Sequence, residues 1–350
     1  MTIEKEKVLK DLGLCARCRQ CRMVCEVPIA TTMLPICPSG EFYKFDTYFA
    51  SGRVTLAKKI LLGKIDFDES ILRAVYSCAL CGSCKQQCPI LNFDPMEATT
   101  VMRELAVEKG LADSIYPMPD TTPIECDCAA CADSDTALFV GSQAQSDAET
   151  VKAIATALKK ASVCFKPFAG ADAGEYLLRK GDIKAFSAIK ESNTAAFKDA
   201  GIKKLIAHDP MTYKVLKQDY VLDGIEVVFY LELLAGKVEA KVSGVKATYH
   251  DPSYLGRYLG VYDLPRAIIT ALGYELVEMV RTKENAMSSG AFPDYIPAVA
   301  DLASKTIIGD AEQAGAQVLI TVGRNAAVQL QKAAQQLGSA IVVKDLATLL

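Results

Sequence analysis

Eight cysteines stand in two runs of one spacing. Cys15-x2-Cys18-x2-Cys21-x3-Cys25 is matched by Cys78-x2-Cys81-x2-Cys84-x3-Cys88, which Pro89 follows at once. Thiolates are soft ligands that suit zinc and iron–sulfur clusters. Three cysteines at three-residue steps can curl around one cubane, each thiolate on a different iron, while the fourth points to a neighbouring cluster. This crossover assigns Cys15, Cys18, Cys21 and Cys88 to one [4Fe–4S] cluster, and Cys78, Cys81, Cys84 and Cys25 to a second. Structural zinc more often joins two cysteine pairs across a longer gap. The alternative fourth ligand of the second cluster is Cys37, which Pro38 follows; the three-residue step favours Cys25. In the first run proline comes late, at Pro28, a departure from the pattern of the second.

Five of the thirteen cysteines lie outside the runs. Cys126-x-Cys128-x2-Cys131, with Cys164 or Cys37 as a fourth donor, could hold a third metal, either [4Fe–4S] or zinc. The plainer reading is free or redox-active thiols, with Cys164 a small buried hydrophobe after Val163. The only two histidines stand in His208-Asp209-Pro210 and His250-Asp251-Pro252. Asx-Pro favours turn initiation, so each reads as a strand-ending turn. The functional alternative is a small polar pocket at the strand ends. Glycine-rich stretches with dinucleotide or phosphate spacing are missing, which predicts no flavin or NAD on this chain.

The elements around the runs read as short helices: Ile3–Leu12, a stretch near 54–62, another near 70–76, and Met96–Lys109 with Gly110 as a stop. A Pro- and Cys-rich linker is expected over 117–136. From Thr136 onward apolar runs such as Ala137–Val140, Lys204–Ala207 and Val318–Thr321 alternate with helices such as Ala148–Lys159, which argues for parallel α/β layers. Asp199–Leu216 aligns with Gln313–Leu330 at a constant offset, an internal repeat. The expected class is α+β multidomain: a helical two-cluster ferredoxin domain over 1–116, then α/β repeats over 137–245 and 246–350.

With 51% apolar and 23% charged residues the chain is ordinary globular material. A formal net charge of −3, spread evenly, leaves no basic stripe for nucleic acid. The apolar runs all fall short of a membrane span. The charged N-terminal stretch lacks the apolar core of a signal peptide. The expectation is a cytoplasmic protein, associated with membranes only through partners.

The two runs, together with Tyr249-His250-Asp251-Pro252-Ser253-Tyr254-Leu255-Gly256-Arg257 and Leu178-Arg179-Lys180-Gly181-Asp182, resemble the fused iron–sulfur subunit of heterodisulfide reductases. Glu278-Met279 and Glu284-Asn285 match as well. Related families are the iron–sulfur subunits of glycolate, lactate and glycerol-3-phosphate oxidoreductases. In that family each α/β repeat carries a cysteine-rich CCG motif that holds a non-cubane cluster. Here the matching positions read Ser142, Asp172-Ala173-Gly174 and Asp209-Pro210-Met211-Thr212 in the first repeat. In the second they read Ser253, Ser288-Ser289-Gly290 and Gly323-Arg324-Asn325-Ala326. Hydroxyls are poor substitutes for thiolates as iron ligands, so the resemblance implies a retained scaffold without that cluster.

The leading expectation is therefore an electron-transfer subunit, with no catalytic residues of its own, passing single electrons through two [4Fe–4S] clusters between partner chains. The resemblance implies a flavoprotein, other iron–sulfur subunits or a membrane quinone-linked subunit as partners. Arg17, Arg19, Arg22 and Lys85 beside the ligand runs would favour a reduced cluster if they face it. The alternatives are a thiol/disulfide reductase using Cys126, Cys128, Cys131 and Cys164, and a non-catalytic assembly subunit.

Overall fold

The structure is a computed structural model that describes residues 5–24, 34–118, 130–131, 133–141, 148–169, 172–290 and 296–350. Its N-terminal part is helical: α1 (Lys5–Gly13), α2 (Pro38–Tyr43), α3 (Ala50–Leu61), α4 (Glu69–Tyr76), α5 (Ser83–Gln86) and α6 (Glu97–Glu108). Strands β1 (Met23–Val24) and β2 (Leu34–Pro35) pair antiparallel between α1 and α2. Asp68 starts α4 by accepting the Ile71 N–H at 2.8 Å, which satisfies one of the helix's orphan donors. Helix α6 buries Ala98, Val101, Met102 and Ala106, one face at helical spacing. They meet Val54 and Ala57 of α3 and Ile71, Leu72 and Val75 of α4 in one core.

The rest is α/β. Strand β3 (Thr136–Val140), α7 (Ala148–Lys160), β4 (Lys166–Ala169), α8 (Glu175–Lys180), α9 (Ile183–Asp199), β5 (Lys204–Ala207), α10 (Pro210–Lys214), β6 (Glu226–Phe229) and α11 (Tyr230–Leu234) form the first unit. The second comprises β7 (Lys246–Tyr249), α12 (Asp263–Ala271), β8 (Glu275–Leu276), α13 (Pro297–Gln313), β9 (Val318–Thr321), α14 (Arg324–Leu337) and β10 (Val342–Asp345). The sheets are parallel and ordered β4-β3-β5-β6 and β8-β7-β9-β10. Both therefore run second, first, third, fourth strand. Helices cover the sheet faces, which is why strands such as Ala137–Val140 are apolar without alternation and wholly buried. One core joins the two units, from Phe139 and Ile206 to Tyr249, Ile320 and Leu346.

The helical part is hydrogen-bonded to both α/β units. Arg103 Nη1 donates to the Arg179 carbonyl at 2.6 Å, and the Tyr76 hydroxyl to the Lys180 carbonyl at 2.9 Å. Gln87 reaches Asn285 at 2.8 Å, and Arg281 Nε the Pro35 carbonyl at 3.0 Å. At the α6–α8 seam Gly181 has φ +96°, and a Cβ there would lie 2.5 Å from the Arg103 carbonyl carbon. Only glycine fits that approach.

Both histidines end strands. His208 follows β5 and its Nδ1 lies 3.1 Å from the Phe139 carbonyl. His250 follows β7, with its ring nitrogens 3.1 Å from Thr321 Oγ1 and 3.0 Å from the Met287 carbonyl. Asp209 Oδ1 then caps α10 by accepting the Met211 and Thr212 N–H groups, with Pro210 in the first turn.

Candidate metal centre

The two cysteine runs bend alike. Arg17 (φ 55°) and Arg19 (φ 68°) flank Cys18, and Leu80 (φ 48°) and Gly82 (φ 79°) flank Cys81. The left-handed region costs a residue with a Cβ about 1–2 kcal/mol, so three side-chain-bearing residues hold it against their preference. Loops using this region can turn successive N–H groups toward one centre, a concavity that favours anions and recurs at iron–sulfur sites.

Each run lines a cavity. The first is walled by Cys15, Cys18, Cys21 and Cys88 with Arg17 and Arg19. The second is walled by Cys78, Cys81, Cys84 and Cys37. Pro95 lines both. Cys25 lies outside the described residues, and Cys37 stands beside the three thiols that the spacing joined to Cys25. What brings Cys37 there is Arg53, only 1% exposed. Its Nη2 donates to Ser39 Oγ at 2.8 Å and Ser77 Oγ at 3.2 Å, and its Nε to the Ala74 carbonyl at 2.8 Å. Ser39 follows Cys37-Pro38 and Ser77 precedes Cys78, so one buried guanidinium ties the two segments together. Pro38 then opens α2 immediately after the thiol.

Every carbonyl from Cys78 to Cys81 accepts a side-chain donor. Arg103 Nη2 reaches Cys78 at 2.7 Å and Arg179 Nη1 reaches Ala79 at 3.1 Å. The Tyr258 hydroxyl reaches Leu80 at 2.6 Å, and Arg257 Nε reaches Cys81 at 2.6 Å. Arg179 belongs to the first α/β unit, Arg257 and Tyr258 to the second. Hydrogen bonds from charged donors contribute about 1.5–3 kcal/mol each, which offsets the strained backbone at Leu80.

Electrostatics divide the thiols. Burial pushes the Cys37 thiol up to about 12, against the pull of Arg53. Burial and the neighbouring thiols push Cys84 well above its ordinary value. Burial also raises Cys21 and Cys88. At Cys78 burial acts upward, yet Arg53, Arg103 and hydrogen bonding hold the thiol below its usual value. Of the cations the spacing singled out, Arg17 and Arg19 line the first cavity. Arg22 pairs with Asp46 and lies over the Phe49 ring at 4.3 Å, and Lys85 pairs with Asp94 at 3.0 Å.

Cys126 and Cys128 lie outside the described residues. Cys131 and Cys164 form a disulfide with sulfurs 2.06 Å apart. In that state neither sulfur is a thiolate able to ligate a metal, and Cys164 is exposed rather than the buried hydrophobe expected. Ser142 also lies outside the described residues. The second unit's Ser253, Ser288, Ser289 and Gly323–Ala326 share one cavity at the strand ends with Asp209–Met211 of the first. His250 lines it too.

The arginines at the second cavity were not singled out as cluster residues. Arg179 and Arg257 stand in stretches that carried the resemblance, but no spacing rule gives their role. Arg103 falls inside the helix expected over Met96–Lys109 and Arg53 just before the one expected near 54–62; a cation on an otherwise buried helix face was the available signal.

Residues 11–92, which include both runs and Cys37, match the 4Fe-4S dicluster domain family. The EtfAB:quinone oxidoreductase of Syntrophomonas wolfei is 36% identical over 151 residues, 40% of this chain and 21% of that one. A Bacillus subtilis protein described as an iron–sulfur-binding oxidoreductase, FadF, is 25% identical over 82% of this chain and 51% of its own length. The chain thus spans about a fifth and about half of these two relatives. A subunit of the dihydromethanophenazine:CoB–CoM heterodisulfide reductase of Methanosarcina mazei is 26% identical over 362 residues, 89% of this chain and 86% of that one. The chain is a homologue of that heterodisulfide reductase subunit along most of its length and carries a 4Fe-4S dicluster domain.

Proposed function

We propose that this chain is an electron-transfer iron–sulfur subunit of a multi-subunit, heterodisulfide-reductase-like oxidoreductase. The observation that carries the reading is the matched left-handed bend around Cys18 and Cys81, with four thiols walling each cavity. Cys15, Cys18, Cys21 and Cys88 hold one [4Fe–4S] cluster. Cys78, Cys81, Cys84 and Cys37 hold the other, Cys37 taking the place assigned to Cys25 by spacing. Bound there, such clusters supply one-electron transfer.

The chain's own residues do the positioning. Arg53 holds the Cys37 segment against the Cys78 segment, and Arg103, Arg179, Arg257 and Tyr258 fix the loop between Cys78 and Cys81. The positive charge of the arginines favours the reduced state of what the loop holds. The like strand order of the two sheets supports two α/β repeats, over 137–245 and 246–350, kept as the scaffold for that loop.

The resemblance implies partners of three kinds, a flavoprotein, further iron–sulfur subunits or a quinone-linked membrane subunit; the names of the relatives, a quinone oxidoreductase and a reductase subunit, support a quinone-linked, multi-subunit setting. Among the described residues no helix is long and apolar enough to cross a membrane; the resemblance to subunits of larger complexes supports membrane association through a partner. The test is iron and acid-labile sulfide after anaerobic preparation, with EPR of the reduced protein. About eight iron per chain with two interacting [4Fe–4S] signals is the expected result; a chain with no iron would overturn it.

The Cys131–Cys164 disulfide favours a second reading, a thiol/disulfide reductase working through these cysteines with Cys126 and Cys128. About twelve iron, or a paramagnetic species appearing with a thiol substrate, would place a third centre there and move that reading first.

A further inference from the structure

A cleft of about 440 Å³ lies between α6 of the helical part and the two α/β units. That is the size range of small-molecule sites. Leu80, Met96, Arg179 and Tyr258 of its lining also belong to the surroundings of the second thiol set. Met96 lines both the cleft and the cavity of Cys37, Cys78, Cys81 and Cys84. Tyr258 lines the cleft, and its hydroxyl meets the Leu80 carbonyl at 2.6 Å and Met96 Sδ at 3.4 Å. A molecule in the cleft is thus one side chain away from the cluster cavity.

The walls specify what could sit there. Leu178, Ile183, Met211 and Val215 give an apolar surface, and the Tyr254 and Tyr258 rings, 5.1 Å apart and tilted by 32°, give an aromatic one. Both lining cations are engaged: Lys214 holds Asp219 at 2.6 Å, and Arg179 holds the Tyr254 hydroxyl at 2.5 Å and the Ala79 carbonyl. Glu97 and Glu104 face the same space. Burial and nearby acids, Asp11 and Asp94 for Glu97 and Glu108 for Glu104, push both carboxyls up. The carboxylates repel phosphates and carboxylates, while the apolar and aromatic walls accept a neutral ring.

We propose that this cleft binds an uncharged quinone-type ring, the class of carrier that takes up two protons with two electrons. The site deepens the electron-transfer reading and rests on it: the ring would lie beside the set that contains Cys37.

The test is calorimetric titration of the anaerobically prepared full chain, in its oxidised state, with menadione, and with FMN as the phosphate-bearing ring. One menadione per chain should bind, at least tenfold more tightly than FMN. Ile183→Trp and Thr100→Trp each fill the cleft from a different helix, and each should weaken menadione at least tenfold while iron content stays at that of the unaltered chain. The second variant guards against misfolding of the first. Absent menadione heat, equal binding of FMN, or menadione binding unmoved by both tryptophans overturns the site. Iron content separates the two ideas: full iron without menadione binding sinks the cleft alone, and a chain without iron sinks the electron-transfer reading.

Discussion

Arg257 Nε donates to the Cys81 carbonyl at 2.6 Å, across 176 residues of sequence. The same guanidinium gives Nη2 to Ser253 Oγ at 2.7 Å and Nη1 to the Ala286 carbonyl at 2.5 Å. One side chain therefore joins the middle ligand of the second cysteine run to the strand-end cavity of the last α/β unit. A cation so placed stabilises added negative charge on the run. Arg257→Met should lower the reduction potential of the centre proposed at Cys37, Cys78, Cys81 and Cys84 by about 60 mV, a tenfold change in a one-electron equilibrium. Iron content should be kept. An EPR-monitored redox titration reads this directly, and an unmoved potential would show that Arg257 only packs.

Cys37 and Cys25 make opposite predictions. If Cys37 completes the second set, Cys37→Ser should cost about four of eight irons and the corresponding EPR signal. Cys25→Ser should leave both. Iron assays on the two variants, prepared side by side, decide the assignment, and loss of iron in Cys25→Ser alone would restore the spacing rule.

That ambiguity shows where legibility ends. Helices α3, α4 and α6 were readable because apolar residues recur at helical spacing, and their ends fall within a few residues of the expected positions. Strands Lys204–Ala207 and Val318–Thr321 were readable because buried parallel strands are short and continuously apolar. The place of Cys37 beside Cys78, Cys81 and Cys84 was not, since local spacing ranks Cys25 above Cys37 and cannot see Arg53 drawing Ser39 to Ser77. Likewise Tyr258 and Arg257 meet the cysteine loop only through tertiary packing. Long-range donors to a loop's carbonyls leave no periodic trace in sequence.

The Cys131–Cys164 disulfide closes a sequence separation of 33. On the chain-entropy account a loop of that size contributes about 3–4 kcal/mol. Thermal unfolding of the native chain should therefore shift down when dithiothreitol is added, while Cys164→Ser should unfold at the lower temperature with or without reductant. Its iron content should stay at about eight. A drop in iron would instead assign these sulfurs to a metal.

Gly181 tests the seam on which the loop clamp depends. Its φ of +96° and the 2.5 Å approach to Arg103 leave no room for a methyl group. Gly181→Ala should cost about 2–3 kcal/mol through overpacking and backbone strain. Because Arg103 also donates to Cys78, the variant should lose iron faster on air exposure than a control such as Gly201→Ala, where nothing lies within 4 Å of the added Cβ. Gly201 has a positive φ too, so the control shares the conformational strain and isolates the steric term. Equal rates of iron loss would uncouple the seam from the centre.

Asp345 carries a pH signature far from the cysteines. It ends β10, is 3% exposed, and caps the following turn by accepting the Ala347 N–H at 3.1 Å. Burial raises its carboxyl to about 6, against backbone hydrogen bonds and the charge of Arg324. The folded state therefore holds this proton to higher pH than the unfolded chain does. Stability must fall as pH rises through the window between the ordinary aspartate value and about 6. From pH 5 to pH 7 the group accounts for a loss of about 1 kcal/mol, most of it below pH 6.5. Asp345→Asn removes the titration but keeps an oxygen for the cap, so its unfolding midpoint should change less over that range than the native chain's. Denaturant unfolding of both at pH 5, 6 and 7 measures the difference. Parallel curves would mean that the carboxyl is already ionised at pH 5 and that hydrogen bonding, rather than desolvation, dominates at the end of β10.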